Sequence, residues 1–191
     1  MPRPCLSTER IDLVPLTTEH LPLLVELDAD PEVLRYILGR ARTRDEAHDQ
    51  WAPVCRDRTA DAVGLGWWVG FRRDDGGFLG WWDLSPDAPV TERPTRAEAG
   101  WRLVRRHWGS GLATEGARAL LGHGFGTVGL DRVWAETMAV NAASRAVMTR
   151  LGMRHVRTDH RRWDDPLPGA EQGEVVYAID AASWSVQAPP R

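Results

Sequence analysis

Residues 98–125 read EAGWRLVRRHWGSGLATEGARALLGHGF, and this stretch limits the fold more tightly than any other. The run AEAGWRLV (97–104) is strand-like. The run from Leu112 onward is helical, with Leu112, Gly116, Ala119 and Leu120 along one side. Gly109 and Gly111 lie between them. A strand, a glycine turn and a helix N-terminus together make an anion site. The first amides of a helix have no partner within it, and its dipole adds positive charge there. A glycine lets backbone approach a phosphate closely. Arg105 and Arg106 add charge, and Ser110 and Thr114 add hydroxyls. An ordinary tight turn is the competing reading. Two nucleotide sites are excluded. No lysine follows the glycines as a P-loop needs, and Thr114 stands where the third glycine of a dinucleotide fingerprint belongs.

The rest of the chain supplies the frame. ERIDLVPL (9–16) alternates as a first strand, and TTEHLPLLVELDAD predicts a helix capped by Thr17 or Thr18. PEVLRYIL (31–38) predicts a second short helix opened by Pro31. A further helix starts near Thr43, and Pro53 is expected to bend or interrupt it. GLGWWVGFR and GFLGWWDLS, joined by RDDGG, form the clearest hairpin. PDAPVTERPTR (86–96) reads as an exposed loop. After the glycine stretch come a strand (DRVWAETMA), a helix (NAASRAVMTRLGM), a strand (RHVRTDHR), a loop and a last strand (EVVYAID). VQAPPR is expected to fray. The 191 residues show no repeat and no linker, so one mixed α/β domain over 1–191 is expected.

Composition closes off several classes. A net charge of −3 leaves no basic footprint for nucleic acid. Two cysteines, Cys5 and Cys55, make neither a disulfide framework nor a metal site, and no histidine pattern has ligand spacing, so no metal is expected. The N-terminus lacks the apolar core of a signal peptide, and no run is long enough to span a membrane. The expectation is a cytoplasmic protein without membrane or nucleic-acid partners. Ten tryptophans are unusual. In Trp67–Trp68 and Trp81–Trp82 the two rings of each pair face opposite sides of a strand, so one of each can meet a groove.

RHWGSGLA (106–113) resembles the pyrophosphate-binding loop of the GCN5-related N-acetyltransferase (GNAT) superfamily. NAASRAVMTRLGMRHV and GEVVYAID are similar to the N-x-x-S helix, L-G-M turn and closing strand of its ribosomal-protein alanine acetyltransferase-like branch. The match is strongest over 98–157. The resemblance implies a mixed α/β (α+β) GNAT fold. Its central twisted sheet would be mostly antiparallel, with about six to seven strands, splayed before the glycine loop. It also implies acetyl transfer from acetyl-CoA, or another acyl-CoA such as succinyl-CoA, to a primary amine. That amine belongs to a small molecule or a protein N-terminus and attacks the thioester directly. A CoA-binding sensor or accessory module without turnover is the alternative, and a homodimer is a further expectation.

The residue roles follow from the resemblance. Backbone groups of Leu103, Val104 and Arg105 would hold the carrier's pantetheine arm, with the Val104 N–H toward the thioester oxygen. Arg106, Trp108, Gly109, Ser110, Gly111, Leu112, Ala113 and Thr114 would surround the pyrophosphate. Asn141 caps its helix, holds the carrier, or both. Ser144, one turn on, would protonate the departing thiolate, with Tyr177 as second choice. Glu98 would take the amine's proton, with Asp83 as competitor. Trp67, Trp81, Trp82 and Asp83 would wall the acceptor groove.

Overall fold

The computed structural model describes residues 3–87 and 93–187. Short β1 (Leu6–Ser7) and β2 (Ile11–Pro15) lead into α1 (Leu21–Asp28) and α2 (Arg44–Arg56). The tryptophan-bearing hairpin is β3 (Gly66–Arg72) and β4 (Phe78–Pro86), followed by β5 (Arg96–Leu103) and α3 (Leu112–His123). The chain closes with β6 (Arg132–Met138), α4 (Ala142–Arg150), β7 (Arg154–Asp159), β8 (Glu174–Asp180) and α5 (Ala181–Gln187). The strands form one sheet of eight, ordered β1-β2-β3-β4-β5-β6-β8-β7. Every neighbouring pair is antiparallel except β5–β6. The sheet is thus wider than the expected six to seven strands, because the two-residue β1 adds to β2 at one edge.

Strand alternation sorts the tryptophans between two apolar layers. Trp68 and Trp82 point to the face covered by α3 and α4, within the cluster of Leu112, Leu120, Val133 and Met148. Trp81 points to the other face, with Trp51, Leu24 and Leu27 of α1 and α2, and Trp67 packs against that cluster. Gly116 lets α3 sit directly on Trp82, since a Cβ there would lie 2.5 Å from the indole Cε2. Trp82 Nε1 donates to the carbonyl of Ala113 at 3.1 Å. Gly116→Val is therefore expected to lower stability by about 1–3 kcal/mol through overpacking. A urea melt should show a reduced midpoint with unchanged slope.

Three local expectations are corrected. Residues 31–38 form successive turns instead of a helix, with the N–H groups of Ile37, Leu38 and Gly39 all converging on the carbonyl of Leu34. α2 runs through Pro53 without interruption, which removes that half of the expectation for this residue. Pro53 lies on the exposed face, so the carbonyl its ring leaves without a donor is solvated. The start of the expected fraying tail is helical as part of α5, while residues 188–191 lie outside the described residues, as do residues 88–92 of the 86–96 loop.

Candidate active site

β5 pairs with β6 only between Arg96–Glu98 and Arg132–Trp134. Beyond Glu98 the two strands part, and a groove of about 1400 Å³ enters the gap. Its walls there are Ala99–Leu103 on one side and Glu136–Met138 on the other. Backbone alternation decides which β5 groups face it. The Val104 N–H donates to the Leu79 carbonyl of β4 at 2.9 Å. Odd-numbered positions, Ala99, Trp101 and Leu103, therefore turn their amides toward the gap. This corrects the role expected for the Val104 amide, which belongs to the sheet. The Val104 side chain packs against the layer formed by α1 and α2.

One end of the groove is the glycine loop. Arg105–His107 make a 3₁₀ turn, and Gly111 caps α3 in the left-handed region at φ +85°. Gly109 is left-handed too, at φ +73°, and a Cβ there would meet nothing within 4 Å. The loop is thus open on the side where a ligand would approach, above the unbonded first amides of α3. Trp108 is half exposed, and its Nε1 donates to the Leu103 carbonyl at 2.8 Å, tying the loop to the end of β5. Ser110 Oγ donates to the His107 carbonyl. Trp108 through Thr114 line the groove. Arg105 does not, while Arg106 lines a second recess with Arg10, Arg72 and Arg73. His107 borders both, its pKa lowered by burial and then by Arg106 and Arg72.

α4 supplies the opposite wall. Asn141 Oδ1 accepts the Ser144 N–H at 3.2 Å, and Asn141 Nδ2 donates to Thr137 Oγ1 at 3.0 Å. One lone pair of Oδ1 and one hydrogen of Nδ2 are thus engaged by the cap and by β6, and the residue borders the groove beside Ser144. Tyr177 is not brought to this place. It lies on β8, which β6 separates from β5. Its hydroxyl accepts from Arg145 Nε at 3.4 Å and its ring meets His155 edge-on.

The other end is aromatic and acidic. Trp67 and Trp81 form its wall with ring centroids 4.7 Å apart. Trp82 is corrected to the opposite face, where α3 covers it. Asp83 is buried at the groove floor, and burial pushes its carboxyl up to about 7, against the pull of Ser85 Oγ, 2.8 Å away. It pairs across with Gly100, whose missing side chain leaves space for Asp83 Oδ1. Glu98 lies on the same face of β5. Burial raises its pKa, and the charges of Glu136 and Asp87 raise it further. Glu174 is raised likewise, by burial and then Glu136.

One cluster escaped sequence reasoning. Arg102, on the groove face of β5, bonds to the fully buried Asp28 at the end of α1. Strand alternation placed Arg102 on the face of Glu98. Nothing local pointed to a carboxylate 74 positions away. Among the described residues no group of His, Cys, Asp or Glu could hold a metal ion, and no helix is long and apolar enough to cross a membrane.

The sheet thus parts beside a glycine-capped helix, and one groove runs past both. The family model of the acetyltransferase (GNAT) domain matches residues 10–154, and the chain belongs to that family. It is 43% identical over 190 residues, 95% of its length and 78% of the relative's, to the FsC-acetyl coenzyme A-N(2)-transacetylase of Aspergillus fumigatus. Solved structures share the fold. A GNAT-family acetyltransferase from Bacillus anthracis has a TM-score of 0.76 at 20% identity, covering 94% of this chain and 99% of that one. The ribosomal L7/L12 acetyltransferase RimL in complex with coenzyme A gives 0.74 at 16%, covering 93% and 98%. The chain is an N-acetyltransferase using acetyl-CoA.

Proposed function

We propose that the chain transfers acetyl to a primary amine by direct attack of that amine on the thioester. The observation that carries this is the continuity of one groove. It runs from the open glycine loop, through the gap between β5 and β6, to a buried carboxyl titrating about neutrality. The loop fits the carrier's phosphates, since Gly109 leaves room where they would rest and the α3 amides face them. When bound, the carrier supplies the activated acyl group. The gap-facing amides, that of Leu103 first, donate to the carbonyl oxygen as it gains charge. Asp83 accepts the amine's proton, and the neighbouring Glu98 keeps that carboxyl basic by adding negative charge. Ser144 protonates the departing thiolate. The name of the 43% identical relative supports a nitrogen acceptor. The ribosomal-protein branch rests on sequence motifs alone, those of residues 98–157 and the closing strand 173–180.

The first experiment titrates the protein with acetyl-CoA, succinyl-CoA and free CoA, following tryptophan fluorescence. Trp108 in the loop is the built-in probe. Micromolar binding, followed by thiol release when amines are added, is the expected result. Binding without thiol release from any amine would replace this reading with a carrier-binding module. Ser144→Ala is expected to lower kcat by about a hundredfold or more, the low end for a lost general acid. Its acetyl-CoA Kd should be unchanged. An unaltered kcat would remove Ser144 from the proton path.

A further inference from the structure

Arg102 lies on the groove face of β5, two residues beyond the Gly100 that pairs with Asp83. Its Nη1 donates to Asp28 Oδ1 at 2.6 Å. Asp28 Oδ2 accepts from Arg42 and from Trp51 Nε1. One fully buried carboxylate therefore holds two guanidinium groups, and the cluster carries one positive charge in excess. That charge emerges at Arg102, which lines the groove, whereas Arg42 does not. The Arg102 guanidinium rests 5.0 Å from the ring centroid of Trp81 and 5.8 Å from that of Trp51. An ion pair below and aromatic faces beside it fix the planar fork, so its remaining N–H groups are pre-aimed. Trp81 adds a second donor, a buried Nε1 without a partner among the described residues.

A cation at the floor of an amine site repels an ammonium group. Its presence is explained if the acceptor carries an oxygen as well as a nitrogen. Asp83 lies across from Gly100, and Arg102 is the next residue on that face of β5, so the two groups are neighbours on the groove floor. An amine at Asp83 and an acyl oxygen at Arg102 can then belong to one acceptor, which hydrogen-bonds at both ends.

We propose that Arg102 is a specificity-determining residue that donates to the carbonyl or carboxylate oxygen of an α-amino acyl acceptor. This rests on reading the groove as an amine site. The test uses norleucinamide and n-pentylamine, which differ only in the carboxamide. Their acetylated forms are titrated by tryptophan fluorescence with CoA present, and the free amines are assayed for thiol release. The wild-type protein is expected to favour the carboxamide member at least tenfold in Kd for the acetylated forms, whose neutral amides remove the difference in amine basicity. Arg102→Gln should bring the ratio toward one and Arg102→Lys should keep part of it. Asp28 retains Arg42 in both variants, and an unshifted melting curve checks the fold. Equal binding of the two probes, binding of neither, or a preference surviving in Arg102→Gln would overturn the assignment. A binding preference with no thiol release from either amine would instead reject amine acetylation and leave Arg102's role standing.

Discussion

Gly109→Asp is expected to weaken acetyl-CoA binding about thirtyfold or more. Two effects combine. Gly109 occupies the left-handed region at φ +73°, where a side chain costs about 1–2 kcal/mol. A loop relieving that strain moves its amides away from the ligand. The carboxylate then adds repulsion against phosphate of about 1 kcal/mol in water, rising to about 4 where solvent is displaced. Because 1.4 kcal/mol is about tenfold in Kd, the sum of about 2–6 kcal/mol is about thirtyfold at its low end and passes a hundredfold where solvent is displaced. Gly109→Ala separates the causes. It keeps the strain without the charge, and no atom within 4 Å obstructs its methyl. Its loss should be about five- to thirtyfold, in line with the strain alone, and smaller than that of the aspartate variant. Calorimetry on the two variants decides the matter, and equal affinities would remove the phosphates from this loop.

Asp83→Asn is the second large effect. A general base contributes about 10²–10⁴ in rate, and the loss should appear in kcat/KM while acetyl-CoA affinity holds. The pH profile identifies the group. Burial puts the Asp83 carboxyl at about 7, so wild-type activity should rise with pH through neutrality as the base loses its proton. The asparagine variant should lack that inflection, and Glu98→Gln should move it downward by removing a neighbouring negative charge. Stability shifts the opposite way. An unfolded aspartate titrates near about 3.9, below the folded value of about 7. Protonated Asp83 therefore stabilises the fold fully below pH ~4, and that contribution fades as pH rises to neutrality. Melting temperature should fall less steeply over that window in Asp83→Asn. A variant equally inactive but with the wild-type pH dependence of both quantities would leave Asp83 without a role as base.

What was legible in the sequence was whatever depends on local period. The hairpin and its alternating tryptophans, the strand before the glycine loop and the cap at Asn141 follow from spacings of two and 3.6 residues. So does the shared face of Glu98, Gly100 and Arg102. Three misjudgements have a common source in long-range pairing. Alternation says that Trp81 and Trp82 face apart, but only the position of α3 says which faces the groove. Tyr177 reads as a last-strand hydroxyl, yet the strand order places β6 between it and β5. The Val104 amide is assigned by the β4 register, which no local pattern reveals. The Asp28 cluster joins α1, the loop before α2, α2 itself and β5, and its charged members read as ordinary solvated residues until the fold brings them together with Trp51.

The parted strands also bear on how the molecule holds together. Only three residue pairs join β5 to β6, so the hydrogen-bonded ladder is nearly severed at the centre of the sheet. Beneath that seam lies a continuous apolar cluster, to which Ile11 and Trp68 from one side and Val133 and Ile179 from the other all belong. Cooperativity between the two halves is therefore carried more by side-chain packing under α3 than by the short stretch of backbone pairing. The sheet can hold a permanent internal breach because its hydrophobic underlayer acts as a continuous keel.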